Sequence, residues 1–141
     1  MKPFKPEGAY YTISPNEIND IVMDFVEKTI GMRLTLNVGH FNEHDGNPYD
    51  VYVEWLDTDE KIQETMNVLI EKQLPFWIHP EEIFLSRDSI FQSMFDNPYT
   101  TCLYDEHLET YIIHAPILSF NDKLKYELKR IMARRRQRVK I

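Results

Sequence analysis

Apolar residues in this 141-residue chain recur at two different spacings, and the chain switches between them several times. A spacing of three and four marks one face of a helix, and a spacing of two marks a half-buried strand. The alternation of the two points to a mixed fold.

The clearest helix starts at residue 14. Ser14-Pro15-Asn16-Glu17 combines a capping hydroxyl, a proline suited to the first turn and a glutamate that closes a capping box. Ile18, Ile21, Val22, Phe25 and Val26 then form one apolar stripe, and Gly31 stops the helix. Met32, Leu34, Leu36 and Val38 alternate with polar residues, and a second strand follows over 49–56. The connection over 39–48 exceeds a tight hairpin, and its Asp45-Gly46 and Asn47-Pro48 pairs are turn chemistry. A second helix opens at Asp57 or Thr58, carries the stripe Ile62, Met66, Leu69 and Ile70, and ends before Pro75. Residues 76–79 read as a short buried strand or linker. Residues 80–95 read as mostly helical, broken near a second cap at Ser86. A β-hairpin over 99–104 and 108–114 turns at Asp105-Glu106-His107, and Pro116 ends it. Ser119 caps a last helix, with Asp122 against its N-terminal dipole and Phe120, Leu124, Leu128, Ile131 and Met132 as its core face.

The order α-β-β-α-β-α-β-β-α predicts a single α+β domain, mainly antiparallel sheet with helices packed on one side and a basic C-terminal helix. Its parts are an extended lead-in (1–13), a compact acidic body (14–132) and a basic arm continuing the last helix (133–141). An apolar content of 43% suits a packed core, and the single Cys102 excludes an internal disulfide framework. The first residues lack the apolar run of a signal peptide, and no stretch approaches the roughly 20 apolar residues of a membrane span. No membrane contact and a cytoplasmic location are therefore expected. Alanine occurs three times, while Phe, Tyr, Met, Ile, Asn and Lys are heavily used. That bias fits an AT-rich genome such as a phage's, which would place the protein in a host cytoplasm or a virion.

Charge is divided even more sharply than hydropathy. Nine of the sixteen Lys and Arg residues lie between Lys123 and Ile141. Up to Asn121 the chain has 7 basic and 21 acidic side chains, a formal −14; from Asp122 onward it has 9 and 2, a formal +7. Arg134, Arg135 and Arg136 are successive, so at about 100° per residue they spread around the helix and no single apolar surface can bury them. Lys129, Arg130, Arg134, Arg135, Arg136, Arg138 and Lys140 are accordingly the expected partner-binding residues, and an acidic protein surface or a second copy of this chain is the expected host. Nucleic-acid phosphate is the alternative, with the acidic body repelling it and only the arm in contact. A solvated, fraying terminus is the plainest reading of such a segment.

Catalytic signatures are weak. His40, Glu43, His44 and Asp45 supply metal-ligand chemistry, but His at i, i+4 converges only on a helix, which Asp45-Gly46-Asn47-Pro48 disfavours. Asp50 and Glu54 share one strand face and read as solvated residues opposite Val51, Val53 and Trp55. His79 and His114 read as strand-end residues, His107 as a turn residue, and Cys102 as a small strand residue. The four glycines are scattered, so no phosphate loop is present. Tyr99, Tyr104 and Tyr111 offer either a stacking platform for single-stranded nucleic acid or ordinary cross-strand packing. Dispersed carboxylates make an acidic DNA mimic a minor alternative. The expectation is a non-enzymatic interaction or assembly subunit, without cofactor or metal, in the manner of a phage structural or accessory protein.

Overall fold

The computed structural model describes residues 9–40 and 49–117, and helical positions 121, 123–125, 127–129 and 131–132. The elements run β1 (Ala9–Ile13), α1 (Pro15–Ile30), β2 (Thr35–Val38), β3 (Val51–Glu54), α2 (Asp59–Glu71), β4 (Phe76–Ile78), β5 (Ile83–Leu85), α3 (Arg87–Phe95), β6 (Thr101–Asp105) and β7 (Thr110–Ala115). The α+β class expected from the sequence is the one observed. Two sheets are formed, β1-β7-β6 and β2-β3-β5-β4, with antiparallel pairing throughout the described strands.

Helix α1 follows its sequence closely. Ile18, Val22, Val26 and Ile30 are buried at successive turns, each contributing on the order of 1.5–3 kcal/mol by burial. Gly31 ends the helix at φ 79°, a left-handed conformation that costs a side-chain-bearing residue about 1–2 kcal/mol. The capping box is not formed. Ser14 occupies the N-cap but makes no side-chain cap bond, and its backbone oxygen accepts from Glu17 and Ile18 at 3.0 and 3.1 Å. The helix packs on β2, β7 and α3, while α3 packs on β6. The core between them holds Leu36, Val38, Val51, Val53, Ile83, Leu85, Ile90, Phe91, Tyr111 and Ile113.

Two strands go beyond the expected order. The lead-in contains β1, which pairs with β7 from Ala9↔Ala115 to Ile13↔Tyr111. Residues 83–85, expected as helix, are β5, the strand that joins β3 to β4. A run of three apolar residues carries no usable period, so propensity there gives way to pairing with strands on both sides. The cap beyond it is as expected: the Ser86 hydroxyl accepts the Ser89 N–H at 3.2 Å and α3 begins. In α2 the expected stripe faces the core at Ile62, Met66 and Leu69, while Ile70 is exposed and Thr65 is buried in its place.

The largest departure concerns the last helix. Leu124, Leu128, Ile131 and Met132, expected as its core face, are 45–53% exposed. The periodicity was a sound sign of a helix, but period alone does not say whether the globule supplies a surface to cover it. Phe120 and positions 133–141, the whole of the expected arm, lie outside the described residues.

Candidate interaction surfaces

The four-stranded sheet buries one face only. Leu36, Val38, Val51, Val53, Ile83 and Leu85 point inward, so the residues alternating with them point out. On that outer face the register aligns Asn37, Tyr52, Phe84 and Trp77 in one row across the four strands. The rings touch: Tyr52 and Phe84 are 5.5 Å apart between centroids, Phe84 and Trp77 5.6 Å. His79 stacks flat on Trp77 at 5.0 Å and Tyr49 approaches it at 6.3 Å. Trp77 is 37% exposed, on an edge strand.

Carboxylates border this row. Glu54 pairs with Thr35 on the same face, and Glu82 lies 3.5 Å from the Tyr52 hydroxyl. Partial desolvation, together with Glu82 and Glu54, raises the Tyr52 phenol above its ordinary value. None of the four strands carries a Lys or Arg. The surface is therefore aromatic at its centre and anionic at its rim.

The helix after residue 120 has the opposite character. Leu124, Leu128 and Ile131 stand at i, i+4 and i+7, one face of the helix, and all are exposed. Lys125 and Lys129, also exposed, flank that face one position on. Of the expected partner-binding residues, Lys129 is seen exposed on this helix; Arg130, Arg134, Arg135, Arg136, Arg138 and Lys140 lie outside the described residues.

A buried charge network joins the two sheets. Arg87, 2% exposed, opens α3, and its Nε lies 2.8 Å from Asp50 Oδ2. Its backbone N–H donates to Asp50 Oδ1 and its guanidinium donates to the Gly39 carbonyl, each at 2.8 Å. The guanidinium carbon sits 5.3 Å above the Tyr111 ring, and the Tyr111 hydroxyl donates to the same Gly39 carbonyl at 3.0 Å. His40 hydrogen-bonds that hydroxyl through Nδ1 and stacks on Tyr104 at 4.7 Å. Burial raises the Asp50 carboxyl above its ordinary value, with Arg87 pulling the other way, and burial pushes the Tyr111 phenol up to about 12. With Arg87 and Tyr111 both out of solvent, the arrangement is suited to fastening β7 to the ends of β2 and β3.

Several expected roles change on this geometry. Asp50 is not a solvated outer-face residue; it turns to Arg87, away from Glu54. Trp55 is not an inner-face residue either. Strand β3 ends at Glu54, and a φ of 64° swings Trp55 out to 75% exposure. The three tyrosines form no shared platform, since Tyr111 is buried while Tyr99 is exposed. His114 stacks on Tyr10 at 4.4 Å, and the His107 N–H donates to Asp105 in the turn. Cys102 is a buried strand residue as expected, its thiol pushed up to about 12 by burial. Glu43, His44 and Asp45 lie outside the described residues.

Sequence reading missed both Arg87 and the aromatic row. A lone cation amid the apolar residues of 83–95 was a usable signal for the first. The second was hidden because it depends on β5. By fold this is an α+β domain with, among the described residues, two antiparallel sheets, the four-stranded one carrying an aromatic row on its outer face. No protein-family model, no curated protein and no solved structure matches it. Among the described residues no helix is long and apolar enough to cross a membrane.

Proposed function

We propose that this protein is a non-enzymatic interaction or assembly subunit, whose basic C-terminal segment docks on an acidic protein surface, that of a neighbouring copy above all. The observation that carries this reading is the pairing of two features in one segment. It holds nine of the chain's sixteen cations, and its helix exposes Leu124, Leu128, Ile131 and Met132. Charge alone is satisfied by solvent. An apolar seam beside the charge is not, and it favours a protein host over bare phosphate. A setting among phage structural or accessory proteins agrees with the AT-rich composition.

Sedimentation of the intact chain, compared with a chain ending at Ala133, tests the reading at low and high salt. The intact chain is expected to associate, more weakly as salt rises, and the shortened chain to associate less. An intact chain that stays monomeric at every salt contradicts docking on a copy of itself. Nucleic-acid binding has a separate signature. Seven phosphate contacts give a log–log salt slope of about −6 on duplex DNA, and a flat response excludes them.

A further inference from the structure

From the geometry of the outer sheet face we infer that it is the receptor for the terminal helix of a second copy, the row Tyr52–Phe84–Trp77 covering the Leu124–Leu128–Ile131 seam. This rests on the docking reading above and names the surface that reading leaves open.

Three properties of the two surfaces correspond. Length is the first. Residues 124 to 131 rise about 10 Å along a helix, at about 1.5 Å per residue. Three adjacent strands span about 10 Å, at about 4.8 Å per strand, so the aromatic row and the apolar seam have equal extent. Charge is the second. Glu54 and Glu82 border the row, and Lys125 and Lys129 flank the seam. The third is the chemistry of contact. Aromatic rings pack against apolar side chains and take cations over their faces, and Trp and Tyr at the centre of a patch are among the residues that most often dominate binding energy.

The outer face of the other sheet is the competing receptor. It exposes Tyr10 and Leu103, but its carboxylate Asp105 is already engaged, accepting the N–H groups of His107 and Leu108 at 2.9 and 3.1 Å. Glu82 accepts the Tyr52 hydroxyl at 3.5 Å, but among the described residues neither its carboxylate nor that of Glu54 is held by a backbone N–H, so both can take up cations. The four-stranded sheet is the better host.

Helix-to-sheet exchange uses a different patch on each partner. It is heterologous, and it builds chains or rings rather than closed twofold dimers. Complementation of two full-length variants exploits this. Trp77→Ala disables the receptor and leaves the helix intact; Leu128→Asp disables the seam and leaves the receptor intact. Each alone is expected to sediment as a monomer, with association weakened about thirtyfold or more. Mixed, they are expected to form a one-to-one dimer that grows no further, because only one functional junction remains. Glu82→Lys provides a second receptor variant that alters charge without removing a ring, and Leu103→Ala on the other sheet is the control that associates as the parent does.

Distinct results separate the two claims. If Leu128→Asp is monomeric while Trp77→Ala and Glu82→Lys associate normally, the receptor lies elsewhere and this inference is overturned, with the docking reading intact. If Leu103→Ala alone abolishes association, the three-stranded sheet is the host and the inference is likewise overturned. If the parent never associates, or if Leu128→Asp associates as the parent does, the docking reading falls with it.

Discussion

Burying the Arg87 guanidinium at 2% exposure costs several kcal/mol of desolvation unless its partners offset it. Asp50, the Gly39 carbonyl and the Tyr111 ring are those partners, and they come from three separate stretches of chain. Arg87→Ala leaves the Asp50 carboxylate buried and unpaired, so a loss of about 3–5 kcal/mol is expected in urea unfolding. Arg87→Lys recovers only part of it, because an ammonium cannot reach Asp50 and Gly39 with one planar fork. Asp50 also has a pH signature. Just above its ordinary value of 3.8, the unfolded chain has released a proton that folded Asp50 still holds, since burial raises its pKa. Stability due to this group therefore falls as pH rises through that interval, and Asp50→Asn should remove the slope from the urea midpoints. Cys102, its thiol pushed up to about 12, stays protonated at neutral pH, so a thiol reagent should label it only at the rate of unfolding.

Among the elements, the capping residues divide in a way that stability measurements can detect. Ser86 caps α3 with its side chain and Ser14 does not cap α1, so Ser86→Ala is expected to cost about 1 kcal/mol and Ser14→Ala little. Equal losses in urea unfolding would contradict that assignment. The elements also show what could be read in advance. Helix α1, with five apolar positions at helical spacing and a terminal glycine, was legible because several local signals agree. Strand β5 was not, being three residues whose conformation is set by β3 and β4 on either side. The aromatic row was lost with it, since Tyr52, Phe84 and Trp77 become neighbours only once β5 lies between the other two strands. The terminal stripe marks a helix but not a core face, because spacing reports a face and not what covers it, and Leu124, Leu128, Ile131 and Met132 are exposed.

At the scale of the whole molecule, one chain carries a −14 end and a +7 end, and under the proposed docking this division would set the way copies approach. Fields of opposite sign orient a collision, and in the proposed junction the apolar seam and aromatic row would hold it once water is expelled. Added salt should therefore slow association more than it speeds dissociation, a difference that stopped-flow mixing resolves. The most direct test joins the carboxylates to the lysines themselves. Equal amounts of nitrogen-15-labelled and unlabelled chain are mixed, treated with a zero-length carbodiimide cross-linker and digested. The account predicts Lys125 or Lys129 joined to Glu54 or Glu82 in peptide pairs of mixed isotope, which only two different molecules can produce. Pairs of matched isotope alone would show the cations bound within their own globule, and would contradict it.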